Sequence, residues 1–236
     1  MIDPRALPDY SKGMDWLGIE IDGERLWDDR GPCGPRDLPP EQRFVVGHAA
    51  VPADPLPSEL LPDQLPRSAE GFHLPPLGGI PAECRLRLIG FQALNPTWDG
   101  LALVVGAERT LWVTLSAGEA IYMQASVTGR LAGLLGCADV APEGLDDAMS
   151  RAERLPFLLA EATGPGKGLA ALLGAEMAAA KSLWLGQQAV LLGYGPLAKA
   201  YLGALQGLYV PVTETRDEAL ARAGFRALAK KFLVAG

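Results

Sequence analysis

Twelve of the 20 prolines in this 236-residue chain fall between Pro32 and Pro81, in runs such as GPCGPRDLPP and LPPLGGIP. No other feature restricts the fold as strongly. Proline locks φ and has no amide hydrogen to give to a central ladder, so this stretch predicts extended connections with few regular elements. Regular structure must then come mainly from a short segment before it and a long one after it. A proline-rich recognition ligand would carry basic flanks, which are missing, so the stretch reads as a compact connector.

The short segment is GMDWLGIEIDGERLW, Gly13 to Trp27, which reads as a strand, a tight turn at Asp22-Gly23 and a second strand. Asp15 is read as closing a buried strand, a place from which phosphate-binding loops often open. After Leu101 the runs LALVVG, LWVTLS and AIYMQA, separated by AERT and AGE, predict an antiparallel meander. VTGRLAGLLG then turns helical, and GKGLAALLGAEMAAAK puts Leu169, Leu172, Leu173, Glu176 and Met177 near one helix face. A βαβ-like unit follows: strand QAVLLG, turn Gly193-Tyr194-Gly195, a helix opened by Pro196, and strand LYVPV. Thr215-Arg216-Asp217-Glu218 forms a capping-box pattern before the last helix. This succession means an α/β or α+β fold, with no obvious repeat.

With 49% hydrophobic and 21% charged residues, the chain can bury a sizeable core. Its net charge of -7 argues against nucleic acid or an anionic membrane as the main partner. Cys33, Cys84 and Cys137 are odd in number and far apart, and the histidines are His48 and His73, so neither zinc-ligand spacing nor a disulfide framework is present. A reducing cytoplasm is the expected location. The start lacks an apolar signal core, and Lys167, Glu176 and Lys181 interrupt the later apolar stretches, so no transmembrane helix is expected.

Two turns could meet a ligand. VVGAERTLW forms a hairpin whose amide hydrogens could converge on an anion, although an ordinary hairpin has the same pattern. LLGYGP sets small residues at a strand end before a helix, where backbone and helix dipole could face an anion; a tight strand-to-helix turn is the plainer reading. Glu176 on an apolar helix face needs a polar partner.

Taken together, LVVGAERTLWVTLSAGEAIYMQASVTGRLAGLL, GLAALLGAEMAAA, AVLLGYGPLAKAYLGAL and ARAGFRALA resemble, in order, the C-terminal half of 2-dehydro-3-deoxygalactonokinases (2-keto-3-deoxygalactonate kinases). Upstream, the MDW at Asp15-Trp16 is similar to the family's opening VDWGTTNLRAW. The resemblance implies an actin/hexokinase-like (ribonuclease H-like) α/β sugar-kinase fold with a truncated N-terminal lobe. Residues 1–100 would be the reduced lobe with its Pro-rich connector, and 101–236 the kinase-like lobe. It further implies ATP and Mg²⁺ as cofactors of an active member, a sugar acid as substrate, and the residues that would meet them. Those are Gly106, Glu108, Arg109, Thr110, Thr128, Gly129, Gly174, Glu176, Gly193 and Gly195 for the nucleotide, and Asp15 for Mg²⁺. Asp15 and Asp99 are the candidates for a catalytic carboxylate, although Asp99 reads first as a turn residue before Gly100.

The departures from the family pattern bear on activity. The Gly-Thr-Thr-Asn-like loop after Asp15-Trp16 reads as excised. Gly106-Ala107-Glu108-Arg109-Thr110-Leu111-Trp112 stands where the family shows PGTHSKW, so a carboxylate replaces a small hydroxyl residue and Leu111 replaces lysine. At an effective dielectric of ~20, a carboxylate ~4 Å from a phosphate costs on the order of 4 kcal/mol before screening. Arg109 could offset that. Arg130 takes the family's acidic position. Phosphoryl transfer depends on positioning and charge stabilisation, so such losses should be costly. The expectation is a degenerate kinase homologue that still binds a nucleotide or sugar acid. The alternatives are an active sugar-acid kinase and a non-catalytic scaffold, with a homodimer open to any of them.

Overall fold

The segments on either side of the connector, together with short strands inside it, fold into two sheets of the same topology. The computed structural model describes residues 15–21 and 23–234. Gly13, Met14 and Asp22, over which the opening hairpin was read, lie outside them. Six strands come first: β1 (Leu17–Glu20), β2 (Arg25–Asp28), β3 (Gly31–Cys33), β4 (Arg43–Val46), β5 (Ser58–Glu59) and β6 (Phe72–Leu74). Helix α1 (Ala82–Leu94) leads into the meander β7 (Gly100–Val105), β8 (Thr110–Ser116) and β9 (Glu119–Ser126). Helices α2 (Thr128–Leu134), α3 (Leu145–Ser150), α4 (Leu155–Glu161), α5 (Pro165–Ala179) and α6 (Lys181–Trp184) precede β10 (Ala189–Leu192). The chain closes with α7 (Gly195–Gly207), β11 (Val212–Glu214) and α8 (Asp217–Val234).

The first sheet runs β3-β2-β1-β4-β6, and the second runs β11-β10-β7-β8-β9 with β5 on its far edge. Each is an antiparallel meander of three strands whose first strand is flanked by two further parallel ones. The chain is therefore duplicated in topology, a repeat that is not obvious in its sequence. Topology repeats through strand direction and pairing, which unrelated side chains satisfy equally well, so no period survives in the sequence. Two local boundaries also differ from expectation. Pro211 postpones the last strand to Val212. Helix α8 begins at Asp217, with the Thr215 hydroxyl donating to the Leu191 carbonyl of β10 at 2.9 Å instead of capping the helix.

The prolines behave as expected in part. The connector is mostly irregular, yet β4 forms inside it, in the proline-free interval from Arg43, and pairs in parallel with β1. Alternating residues of the second sheet feed two cores. Leu101, Leu103, Trp112 and Leu191 face α5 and α7, whereas Ala102, Val113, Val190 and Leu192 share a core with the first sheet, α1 and α8. Helices α1 and α8 cross at glycines: a Cβ on Gly90 would lie 1.9 Å from the Leu220 carbonyl oxygen, and one on Gly224 2.3 Å from that of Leu86. Phe225 of α8 stacks on Trp16, with ring centroids 5.9 Å apart, and covers Gly18 of β1.

Two buried arginines of α1 fix this arrangement. Arg87 pairs with Glu20 at the end of β1 and donates to Asp217 of α8 at 2.8 and 3.1 Å. The same Glu20 accepts from the Trp27 indole at 2.7 Å and lies 3.3 Å from Arg25. Burial opposes the Arg87 charge, but its hydrogen bonds to Asp217 and Glu20 outweigh that and raise its pKa above the ordinary value. Arg85 reaches the connector, donating to the carbonyls of Leu60 (2.8 Å), Pro75 (3.0 Å) and Glu59 (3.0 Å) and to Asp54 (2.6 Å). Carbonyls in a proline-rich stretch cannot all find ladder partners, and one guanidinium supplies several donors at once.

Arg87→Met leaves Glu20 buried without its principal cation and should lower the unfolding free energy by about 3–5 kcal/mol in urea titrations. Adding Glu20→Gln should restore part of the loss. The Arg87 hydrogen bonds also hold the Asp217 carboxyl below its usual 3.8. A depressed folded pKa stabilises above the unfolded value, so this contribution is complete at neutral pH and is lost as pH falls through 3.8 to the lower folded value. Thermal midpoints measured from pH 6 downward should drop less steeply in Asp217→Asn than in the parent.

Candidate functional site

At the carboxyl ends of the parallel strands β7 and β10 the chain encloses a cleft of about 670 Å³. Its walls are Val105, the β7–β8 hairpin at Gly106-Ala107-Glu108, one face of α2 at Gly129, Arg130, Gly133 and Leu134, the pair Ala138-Asp139, and the β10–α7 turn from Tyr194 to Leu197. Crevices outside the carboxyl ends of parallel strands are common ligand sites in α/β sheets. Two close approaches shape this one. A Cβ on Gly129 would lie 2.4 Å from the Ala107 carbonyl oxygen, so only glycine lets the hairpin rest on the start of α2. Gly193, at φ +147°, would bring its Cβ within 2.7 Å of the Val105 carbonyl oxygen.

Of the residues singled out in the sequence, Gly106, Glu108, Gly129 and Gly195 line the cleft together. Gly193 lies directly behind it, and the Arg109 carbonyl closes the hairpin by accepting from Gly106 N–H at 3.0 Å. Thr110 and Thr128 are buried at the first positions of β8 and α2, outside the lining. Three others stand apart. Gly174 provides close packing of α5 on α3, its Cβ position 2.8 Å from Met149 N. Asp99 is at the opposite end of β7, where its carboxylate accepts from Ala117 N–H at 2.6 Å and ties down the β8–β9 turn. Asp15 precedes β1 instead of closing it, and its carboxylate pairs with Arg36 at 2.9 Å. The residue that closes β1 is Glu20, whose buried carboxylate is already neutralised by Arg87.

Glu176 finds its polar partners inside the protein. It accepts from the Trp112 indole at 2.6 Å and from the Tyr201 hydroxyl at 2.6 Å. Burial, followed by the Glu176 charge, pushes the Tyr201 hydroxyl well above its ordinary pKa, so it remains a donor. Asp139 and Leu134 are cleft residues that no motif announced. They lie near or beyond the end of α2, and only tertiary packing brings them opposite the hairpin.

The charged groups of the cleft are Glu108, Asp139 and Arg130, with Glu108 and Arg130 paired at 3.7 Å. The apolar walls of Val105, Leu134, Ala138 and Leu197 suit a weakly polar part of a small ligand. The charged side chains do not favour a triphosphate, because the one arginine is shared with Glu108 and a second carboxylate, Asp139, also lines the cleft.

The sequence matches no family model and no curated protein. Among solved structures, the chain is similar to a Sinorhizobium meliloti protein provisionally assigned as a 2-dehydro-3-deoxygalactonokinase, with 20% identity over 84% of this chain and 81% of that one and a TM-score of 0.66. A second match, component A of (R)-2-hydroxyglutaryl-CoA dehydratase from Acidaminococcus fermentans, has 15% identity, 64% and 68% coverage and a TM-score of 0.34, too low to bear on the fold. The chain thus shares the fold of the first of these proteins, in mixed sheets with helices. Near-equal coverage of both chains in the first match gives no support to a truncated N-terminal lobe.

Gly129→Ala should lower stability by about 1–3 kcal/mol, since the new methyl group meets backbone rather than a flexible side chain. Gly133→Ala, with open space at its Cβ and a helical position, should raise stability by about 0.5–1 kcal/mol. Chemical denaturation of the two variants beside the parent checks this contrast within one helix.

Proposed function

We propose that this chain is a distant relative of the 2-dehydro-3-deoxygalactonokinases that binds a nucleoside-type ligand and has weak or no phosphoryl transfer. The observation that carries this reading is the charge set of the cleft. Glu108 and Asp139 both line it, and Arg130 is the single cation among the lining residues. Phosphoryl transfer is stabilised largely by positioned positive charge, so this arrangement disfavours catalysis.

The state of the first hairpin supports the same reading. The carboxylate at the end of β1 is held by Arg87, Arg25 and Trp27. A carboxylate so engaged is poorly placed to serve an incoming cation. In this reading residues 1–100 and 101–236 act as two lobes, the second holding the nucleoside. ATP and Mg²⁺ would be cofactors only of an active form, and a sugar acid remains the substrate class that the likeness of fold suggests.

Adenosine should raise the thermal midpoint in a saturable way, about 2.7 kcal/mol of stabilisation being expected at ~100 times the dissociation constant. Replacing adenosine by ATP with Mg²⁺ should bring no gain in affinity. A coupled kinase assay with 2-dehydro-3-deoxygalactonate should show no turnover above background. Turnover in the usual kinase range of about 1–100 s⁻¹ would sink the degenerate reading. No response to any nucleoside or nucleotide would favour the scaffold instead.

A further inference from the structure

Beside the cleft lies a second hollow, of about 530 Å³, walled by the β2–β3 turn at Arg30, Gly31 and Pro32, by Tyr194, and by the first turns of α8. Tyr194 lines both spaces. Three arginines, Arg30, Arg216 and Arg222, are among the residues lining this hollow in a chain whose net charge is -7.

The carboxylates around them are largely committed elsewhere. Asp217 is taken by Arg87 and Arg25. Asp29, close enough to feel the charges of Arg222 and Arg30, is held by Arg226 through contacts of 2.5 and 3.0 Å. Glu218 is the one lining carboxylate that enters no ion pair among the described residues. Arg30, Arg216 and Arg222 likewise form no ion pair among them; Arg222 donates to the Arg30 carbonyl at 3.3 Å. Three arginines without ion pairs beside one unpaired carboxylate leave the hollow with an excess of positive charge. Guanidinium forks match the oxygens of phosphate and carboxylate, two hydrogen bonds at a time.

We propose that this hollow binds a small oxyanion carrying at least two negative charges, held by Arg30, Arg216 and Arg222. Phosphate and carboxylate compounds share the chemistry that these residues recognise. The site is separate from the nucleoside reading of the cleft, with which it shares Tyr194 alone. A ligand long enough to pass Tyr194 would place its apolar part in the cleft and its anionic end on the arginines.

Titration calorimetry with inorganic pyrophosphate, and separately with citrate, tests this on the full chain at constant ionic strength. Saturable one-to-one binding of at least one probe is expected, the tighter probe showing which class of oxyanion the hollow prefers. Arg216→Gln and Arg222→Gln should each weaken it about tenfold or more, as loss of a charge-assisted hydrogen bond does. Arg130→Gln, which changes the cleft alone, should leave it unchanged, and circular dichroism with thermal melts confirms that each variant is folded. The proposal is overturned if neither probe binds saturably, if binding survives the double substitution at Arg216 and Arg222, or if Arg130→Gln abolishes it. Adenosine binding measured on the same samples is an independent readout, so either site can fail without the other.

Discussion

Arg87 lies where three parts of the chain that are remote in sequence meet: the end of β1, the middle of α1 and the start of α8. Its guanidinium is enclosed, and an enclosed charge is tolerable only with partners of good geometry. Glu20 and Asp217 supply them, and Trp27 and Arg25 complete the set around Glu20. The first hairpin, the central helix and the C-terminal helix are therefore tied to one position. Everything that faces the junction, including the hollow at the start of α8, depends on that tie.

The neighbouring Arg85 performs a similar task for the connector. A segment crowded with prolines gives up amide donors and with them the ladder that would order it. Arg85 replaces the ladder by donating to the carbonyls of Glu59, Leu60 and Pro75 and to the Asp54 carboxylate. With the connector held on one side, Gly90 and Gly224 allow α1 and α8 to touch backbone to backbone on the other. The first sheet thus packs through these helices onto the second, and the second sheet keeps its other face for α5, α7 and the cleft.

That cleft occupies a position suited to ligands, yet its side chains alter what can enter. Gly129 and Gly193 bring the hairpin, α2 and the β10–α7 turn close together, as a small-molecule site requires. Its two carboxylates, Glu108 and Asp139, are set against one arginine, while the arginines on the far side of Tyr194 are rich in positive charge and poor in partners. On the readings proposed above, apolar and anionic recognition are divided between two adjoining hollows.

Much of the second half was legible from pattern alone. The meander after Gly100, the helix over Leu169 to Met177 and the unit around Gly193-Tyr194-Gly195 follow from local rules: alternation in strands, helical spacing of leucines, and proline or glycine at element ends. These signals need only nearest neighbours, so four of the residues marked for the site, Gly106, Glu108, Gly129 and Gly195, do line one cleft. Helix α1 left no such mark, because it is enclosed by α8 and both sheets and so shows no polar stripe. The sequence by itself determined the strands, helices and turns that local spacing and proline chemistry dictate. Only the tertiary structure decided that the topology repeats, that Glu20 rather than Asp15 closes the first strand, that Glu176 is satisfied by Trp112 and Tyr201, and that three arginines converge. Each of these depends on contacts between residues far apart in the chain, and such contacts leave no period or spacing to read.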